Sequence, residues 1–331
     1  MLGRRVRSSA EYSRTTRPLL ELWPGLEQTL PVARLAELPT PVEPAAELAR
    51  CLGHAGFPAY VKRDDRTSPV YGGNKVRTLE MLFGRARASG ATRVWATGAY
   101  GSNHAVATVL HAPRAGLSPG VLLFPQPASW TTLENLRVVL ASGCALREAV
   151  HWSTLPFGML RTAGSEHRSG TPYSLMTPGG AVPFGALGYV SAGLELARQV
   201  ASGLLPAPEK VVVGVGSTCT SAGLLVGFAH AARLGIGFSG APPELVSVRV
   251  TPWPVASHTL IVDLAARTSR LLAKLAGAAE LALDRRTLGS RLTVDGRFLG
   301  RGYGEATPEG LEAITLFRQT GLCALDATYR A

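Results

Sequence analysis

The sequence predicts an α/β protein, and two observations support this prediction. From about residue 31 onward, short apolar runs alternate with longer amphipathic stretches, as in a parallel sheet that is covered by helices. The chain has 331 residues, of which 46% are hydrophobic and 17% are charged. It is therefore long enough to bury a substantial core and to form two lobes.

Five apolar runs, each followed by a turn signal, are predicted to form buried strands. They span residues 59–62, 93–97, 120–124, 210–215 and 245–250. Helices are predicted over residues 75–89, 104–110, 131–142, 186–202, 221–234 and 257–275. Pro113 lacks a backbone donor and should end or kink the helix that begins at residue 104.

The first 30 residues are predicted to form a basic, flexible arm, because five arginines lie within the first 17 residues. The net charge of the whole chain is +11. Outside the arm the arginines are scattered singly, so a surface for phosphates is not indicated and a nucleic-acid partner is not expected. A basic RNA-binding protein stays an alternative that rests on the charge alone.

Four cysteines stand far apart in the sequence and form no CxxC pair, which predicts neither a disulfide framework nor a zinc site. This cysteine usage indicates the reducing cytoplasm. No apolar run approaches the roughly 20 residues that are needed to cross a bilayer. A twin arginine near the N-terminus is not followed by an apolar segment, so a signal peptide is not predicted.

Residues 71–77, which read YGGNKVR, contain one of only four lysines in a chain that has thirty arginines. A lysine that is shielded from water readily loses its charge and becomes an amine nucleophile, whereas arginine stays protonated. Gly72 and Gly73 allow a tight turn before Lys75, and Asn74 offers an amide for hydrogen bonds. The run therefore predicts either a lysine that forms a Schiff base or a plain surface turn that enters a helix.

Two further glycine-rich turns follow predicted strands and open helices. Residues 97–104 read TGAYGSNH, and backbone N–H groups at such a helix start attract an anion such as a carboxylate. The alternative is that Ser102 or Asn103 is a plain helix cap. Residues 211–223 read VVVGVGSTCTSAG, where backbone amides, hydroxyls and a helix dipole converge as in a phosphate site.

The sequence does not match the motifs of several other kinds of site. The run GVG at residues 214–216 opens a dinucleotide-binding pattern, but Cys219 stands at its third glycine and no acidic residue follows at the spacing that holds a ribose. A P-loop, a GxSxG elbow and an HExxH motif are absent from the sequence. Asp64 and Asp65 lie beside a lysine and an arginine, so ordinary ion pairs explain them and a metal site is not predicted.

The three features that remain are a nucleophilic lysine, an anion-binding turn and a phosphate cradle. Pyridoxal 5'-phosphate needs a lysine for its aldehyde, an anchor for its phosphate and a place for the carboxylate of an amino-acid substrate. The sequence therefore indicates this cofactor.

Six blocks of the sequence resemble, in order and spacing, the D-cysteine desulfhydrase and 1-aminocyclopropane-1-carboxylate (ACC) deaminase family. The blocks read LPTPVEP, VKRDDRTSPVYGGNKVRTLE, GAYGSNH, PGGAVPFGALGYVSAGLEL, GSTCTSAGL and GYGEATPEGLEAI. This family is a fold type II branch of the pyridoxal-phosphate enzymes, related to the tryptophan synthase β-subunit. The resemblance implies two open, twisted, mainly parallel sheets flanked by helices. Residues 31–77 and 186–331 would form the large cofactor-binding lobe, and residues 78–185 the small lobe.

The resemblance also implies catalytic roles. Lys75 matches the lysine that carries the cofactor and moves the substrate proton. Ser102 lies in the loop that receives the substrate, and Tyr303 and Tyr329 match two tyrosines that face it. The apolar block at residues 178–189 is expected to pack between the lobes and to be structural rather than catalytic.

Binding roles follow in the same way. Asn103 matches the residue that is hydrogen-bonded to the phenolic oxygen of the cofactor, and Asn74 lies beside the cofactor lysine. The carboxylate of the substrate is expected against Ser102, Asn103 and His104. The implied phosphate loop comprises Gly216, Ser217, Thr218, Cys219 and Thr220.

Three departures from the family pattern bear on activity. Thr78 stands where many relatives carry lysine, and residues 218–219 replace a common glycine pair of the phosphate loop. Arg330 follows Tyr329 at the position that tends to meet the pyridine nitrogen, where a positive charge would weaken the electron sink.

We therefore expect a lyase or deaminase that acts on a small amino acid as a homodimer. The leading expectation is β-elimination from D-cysteine, which gives pyruvate, ammonia and sulfide. The alternatives are the opening of the ACC ring to 2-oxobutanoate and ammonia, and a catalytically impaired relative that still binds pyridoxal phosphate.

Overall fold

Two parallel sheets organise the chain in the computed structural model, which describes residues 17–300, 307–322 and residue 325. In chain order the strands are β1 (Val42–Pro44), β2 (Tyr60–Lys62), β3 (Arg93–Ala99), β4 (Ser118–Phe124), β5 (Ala145–Glu148), β6 (Tyr173–Leu175), β7 (Lys210–Val215), β8 (Glu244–Arg249) and β9 (Leu292–Asp295). The α-helices are α1 (Pro18–Leu22), α2 (Leu26–Thr29), α3 (Ala46–Cys51), α4 (Asn74–Ala88), α5 (Asn103–His111), α6 (Trp130–Ala141), α7 (Leu155–Arg168), α8 (Pro183–Ala201), α9 (Cys219–Arg233), α10 (His258–Ala276), α11 (Arg285–Gly289) and α12 (Pro308–Gln319).

The four-stranded sheet has the order β5-β4-β3-β6, and the three-stranded sheet has the order β7-β8-β9. All neighbouring strands in both sheets are parallel. In the first sheet, Trp95 of β3 lies opposite Gly120 of β4 and Leu175 of β6. Because parallel strands end at a common edge, the turns that follow β3 and β7 open at the carboxyl edges of their sheets, where ligands of α/β proteins bind.

The predicted α/β class and the two parallel sheets are confirmed. Each predicted helix is present within three residues of its predicted bounds, and α5 ends at His111, two residues before Pro113. The run at residues 59–62 does form strand β2, but the prediction that it is buried is wrong. It pairs antiparallel with β1 in a separate two-stranded sheet outside both parallel sheets, and Tyr60 is exposed.

Two apolar cores cover the two sheets. The larger core is built from α8, α9 and α10 packed on β7 and β8, with Leu187, Val226 and Ile261 fully buried. The second core joins α4 and α5 to β3 and β4. Helix α4 contributes Phe83 to the second core and Met81 to the larger one, so it lies between the two sheets. Both predicted lobe boundaries fall inside helices, α4 and α8, and the division into lobes stays a prediction.

Residues 17–30 were assigned to the flexible arm, and here the prediction is wrong. These residues form α1 and α2, and Leu19, Leu26 and Leu30 are buried in the larger core. Arg17 is buried as well and forms an ion pair with Glu80 of α4. The leucines recur at helical spacing, and the segment carries only one arginine against two glutamates, so burial of its apolar side chains decides its structure.

A buried cluster of charges fixes α4 to α8. Nη2 of Arg77 lies 2.8 Å from Oδ1 of Asp64 and 3.0 Å from Oε1 of Glu195 in α8, and Lys62 of β2 also pairs with Glu195. Burial is the largest single effect and opposes the ionisation of both carboxyl groups, but Arg77 and Lys62 together lower the pKa of Asp64 and of Glu195. The cluster is neutral overall because it holds two cations and two carboxylates.

Among the described residues, no helix combines the length and the apolar character that a membrane span requires.

We predict that Arg77→Met lowers the free energy of unfolding by about 3–5 kcal/mol, because it leaves Asp64 and Glu195 buried without their main cation. Urea unfolding of both proteins measures the difference. Arg297→Met is the matched control, since Arg297 pairs with Asp295 in the solvent and should leave the unfolding free energy unchanged. Equal losses in the two variants would contradict the role of the cluster.

Candidate active site

Lys75 lies in the first turn of α4, directly after a tight backbone turn. Gly73 has a φ of +121°, and a Cβ at Gly72 would lie 1.7 Å from the carbonyl oxygen of Asp65, so both positions require glycine. The side chain of Lys75 is buried, and its Nζ lies 3.4 Å from Oγ of Ser217. Burial lowers the pKa of the Lys75 amine, which favours the neutral, nucleophilic form.

The hydroxyl-rich turn between β7 and α9 lies against the first turn of α4. Nδ2 of Asn74 donates to Oγ1 of Thr220 at 3.2 Å, so the starts of α4 and α9 meet. Thr218, the residue before α9, has a φ of +62°, a conformation that disfavours a β-branched side chain. Oγ1 of Thr251 donates to the carbonyl of Gly216 at 3.1 Å and holds the other end of the turn. The positive ends of two helix dipoles therefore point at one place.

Gly179, which sequence reasoning assigned to a structural block, lies directly against this place. It has a φ of +65°, and a Cβ there would lie 2.3 Å from Cβ of Ser217 and 3.6 Å from Nζ of Lys75. The hydroxyl of Ser217 donates to the carbonyl of Gly179 at 3.4 Å. The Gly-Gly pair that follows β6 was the available signal in the sequence, since a glycine pair often marks a close backbone approach.

The start of α5 forms the third wall of the site. Ser102 caps this helix, because its Oγ accepts a hydrogen bond from the backbone N–H of Ala105 at 3.3 Å. His104 is 1% exposed, and neither of its ring nitrogens has a hydrogen-bond partner among the described residues. Burial, together with the nearby charge of Lys75, lowers the pKa of His104 to about 3. The ring is therefore neutral at physiological pH and has two polar atoms available to a ligand.

Asn103 follows the cap residue of α5. Its Oδ1 accepts hydrogen bonds from Nδ2 of Asn135 at 2.7 Å and from the hydroxyl of Tyr71 at 3.2 Å. Tyr71 belongs to the turn that leads into α4, so this pair of contacts links the starts of α4 and α5.

Two of the positions that depart from the family pattern contact each other. Sγ of Cys219 lies 3.8 Å from Oγ1 of Thr78, and the same thiol donates to the carbonyl of Gly180 at 3.3 Å. Thr78 is one turn after Lys75 on α4. The third departure, Arg330, lies outside the described residues.

The structure thus brings most of the predicted site residues together and leaves two unplaced. Tyr303 and Tyr329 lie outside the described residues. The predicted residues that gather at the starts of the three helices are Asn74, Lys75, Ser102, Asn103, His104, Gly216, Ser217, Thr218, Cys219 and Thr220.

These residues fit pyridoxal phosphate. A buried amine stands beside the hydroxyls of Ser217 and Thr220 at a helix start, which suits an aldehyde near a phosphate. The buried nitrogens of His104 lack partners within the described part of the chain, as expected for groups that meet a ligand. Among the described residues, no group of three or more His, Cys, Asp or Glu side chains could hold a metal ion.

A buried lysine beside a hydroxyl-rich helix start, between two parallel sheets, is the arrangement of enzymes that bind a phosphorylated aldehyde cofactor. The chain belongs to the pyridoxal-phosphate-dependent enzymes, because the sequence profile of that family matches residues 33–320.

Its relatives confirm the branch of the family that the sequence blocks indicated. Nocardicin C-9' epimerase of Nocardia uniformis subsp. tsuyamanensis is 34% identical over 315 residues, which cover 91% of this chain and 86% of the relative. D-cysteine desulfhydrase of Salmonella paratyphi C (strain RKS4594) is 32% identical over 306 residues, which cover 90% of this chain and 85% of the relative. A solved structure of an ACC deaminase homologue has a TM-score of 0.74 and 26% identity, and covers 95% of this chain and 86% of that chain.

We predict that Gly179→Ala weakens the binding of pyridoxal phosphate, because the new Cβ would displace Ser217. Gly143→Ala is the matched control, since Gly143 has a φ of +64° and open space around its Cβ position. Both variants should lose about 1–2 kcal/mol of unfolding free energy from backbone strain. Only Gly179→Ala should also raise the dissociation constant of the cofactor, as measured by fluorescence titration, and equal affinities would contradict the placement of Gly179.

Proposed function

We propose that this chain is a pyridoxal-phosphate-dependent lyase that acts on a small amino acid and uses Lys75 as the catalytic base. D-cysteine is the leading candidate for the substrate. The observation that carries the proposal is the buried Nζ of Lys75, 3.4 Å from Ser217 and enclosed by the starts of three helices. The relationship to D-cysteine desulfhydrase supports the choice of substrate. The overall reaction converts D-cysteine and water into pyruvate, ammonia and hydrogen sulfide.

The residues around Lys75 would hold the cofactor. Ser217, Thr220 and the N–H groups at the start of α9 would bind the phosphate, because hydroxyls and a positive helix end favour an anion. Asn103 would donate a hydrogen bond to the phenolic oxygen. Bound pyridoxal phosphate supplies an electron sink that makes the α-proton of an attached amino acid acidic.

Lys75 would take this proton at Nζ. A lysine in water is protonated at neutral pH and cannot act as a base, whereas burial lowers the pKa of Lys75 toward the range in which it can. The Arg77 cluster holds the first turn of α4 and therefore keeps the backbone of Lys75 in one place.

The start of α5 would bind the carboxylate of the substrate. Backbone N–H groups at a helix start favour a carboxylate, and Ser102 lies at this start. His104 would donate a hydrogen bond from a ring N–H while staying neutral, because its pKa of about 3 lies far below physiological pH. The tyrosines Tyr303 and Tyr329 are proposed to face the side chain of the substrate, on the family resemblance alone.

Two other reactions begin with the same site. Epimerisation returns the α-proton to the opposite face instead of expelling a leaving group, and the relationship to nocardicin C-9' epimerase favours it as the second candidate. Ring opening of ACC is the third, and the structural similarity to an ACC deaminase homologue supports it.

The proposal includes a homodimer in the cytoplasm. The homodimer rests on the family resemblance. The location rests on cysteine usage, since Cys51, Cys144 and Cys219 of the described part of the chain are free thiols.

We predict that the purified protein, loaded with pyridoxal phosphate, releases pyruvate and sulfide in equal amounts from D-cysteine. The same protein is tested with L-cysteine and ACC, and with D- and L-amino acids in D2O, where NMR reports exchange of the α-proton. Exchange with inversion and without pyruvate would identify an epimerase instead, and 2-oxobutanoate from ACC would identify a deaminase. Bound cofactor without exchange or product would indicate an impaired relative.

Lys75→Ala should lose activity by about 1,000-fold or more, because the base is removed. Lys274→Ala is the control, since Lys274 is exposed on α10 and far along the chain from the site. Comparable activity of Lys75→Ala and the wild type would overturn the assignment of the base.

A further inference from the structure

Asn135 is a buried amide that contacts the site through Asn103 and has no assigned part in the proposed reaction. It lies in α6 and is 9% exposed, on a face that also buries Thr132 and Val139. A buried amide in a helix requires hydrogen-bond partners, since an unpaired polar group in the interior is destabilising. The partners of Asn135 lie outside its own helix.

The Nδ2 group of Asn135 donates two hydrogen bonds into the turn between β3 and α5. One reaches the carbonyl oxygen of Gly101 at 2.8 Å and the other reaches Oδ1 of Asn103 at 2.7 Å. The Gly101 carbonyl can only accept, so this contact identifies the end of the Asn135 amide that faces the turn as the NH2 group. The group that meets Asn103 is therefore a donor.

A donor at this place fixes the orientation of the Asn103 amide. Because the NH2 group of Asn135 can only donate, the end of Asn103 that it approaches is the oxygen, and the hydroxyl of Tyr71, which can donate or accept, donates to the same oxygen. The NH2 group of Asn103 then points the other way. No acceptor among the described residues contacts it.

The anchoring of the turn does not require this second bond. The N–H of Gly101 already donates to Oε1 of Gln126 at 3.1 Å, and Gln126 is itself bonded to Thr132 of α6. The turn is thus held to α6 through both the N–H and the carbonyl of Gly101. The bond from Asn135 to Asn103 therefore orients the side-chain amide of Asn103 and is not needed to hold the turn.

We propose that Asn135 is a positioning residue that makes Asn103 present its NH2 group, and not its oxygen, to the phenolic oxygen of bound pyridoxal phosphate. The inference rests on the proposed placement of the cofactor between Lys75 and Asn103. A donor stabilises the ionised form of that oxygen, whereas a reversed amide would place one acceptor against another. Without Asn135, the hydroxyl of Tyr71 can donate to the oxygen of Asn103 or accept from its NH2 group, so it does not select the donor orientation.

Asn135→Leu tests the proposal, because it removes both hydrogen bonds at similar side-chain volume. The readouts are the absorption spectrum of the bound cofactor across pH and the dissociation constant of the cofactor, measured in the wild type and in Asn103→Ala. In the wild-type background, we expect a shifted spectrum and about three- to tenfold weaker binding. In the Asn103→Ala background, Asn135→Leu should change neither readout, since Asn135 acts through Asn103.

The proposal is overturned if Asn135→Leu shifts the spectrum equally in both backgrounds, or leaves it unchanged in the wild-type background. Asn135→Asp is a second variant that keeps the shape but accepts instead of donating, and a wild-type spectrum from it would also overturn the proposal. Thr162→Val is the control, because it removes a buried hydrogen bond of 2.9 Å to Gly158 within α7, away from the turn. If it shifts the spectrum as well, the shift reports lost stability and the proposal fails.

A separate measurement on Lys75→Ala shows whether the proposed function itself fails. If the cofactor spectrum of Lys75→Ala equals that of the wild type, the cofactor is not held at Lys75 and the site assignment fails before any Asn135 variant is compared.

Discussion

The buried charge cluster around Arg77 is the constraint on which the site depends. Arg77 lies two residues after Lys75 on α4, and its guanidinium binds Asp64 before that helix and Glu195 on α8. These bonds fix the rotation of α4 about its axis and thereby the direction in which the side chain of Lys75 leaves the helix. Removal of one partner from such a buried group costs about 3–5 kcal/mol, a large part of the 5–15 kcal/mol that stabilises a typical domain.

A second constraint acts on Lys75 itself. The amine is buried where the starts of α4, α5 and α9 come together, and both burial and positive helix ends disfavour its charged form. The same helix ends attract the anionic groups of a cofactor and a substrate. One arrangement of three helices therefore favours a neutral lysine and, under the proposed function, would also bind the anions that its chemistry requires.

The sequence predicted the parts of the site that are encoded locally. The turn before Lys75 and the hydroxyl-rich start of α9 each combine a strand or turn signal with a helix start within about ten residues. The roles of Gly179 and Asn135 could not be predicted in this way. Gly179 contacts Ser217 across 38 positions of the chain, and Asn135 contacts Asn103 across 32, so both contacts follow from the packing of helices and sheets.

The errors in the predicted fold arise where the local sequence pattern is short or ambiguous. Strands β5, β6 and β9 are three or four residues long and mix polar with apolar side chains, so no apolar run marks them. Residues 17–30 were misjudged because the arginines of the first 17 residues were given more weight than the spacing of Leu19, Leu26 and Leu30. The burial of β2 was overestimated because its run of residues is too short to distinguish a strand of a small antiparallel sheet from a central strand.

The most direct test of this account is to reduce the protein with borohydride in the presence of pyridoxal phosphate and to map the modified residue by peptide mass spectrometry. The account predicts that the reduced cofactor is attached to Lys75 and is absent from the other three lysines, Lys62, Lys210 and Lys274. Attachment to one of those lysines, or no attachment at all, would contradict it.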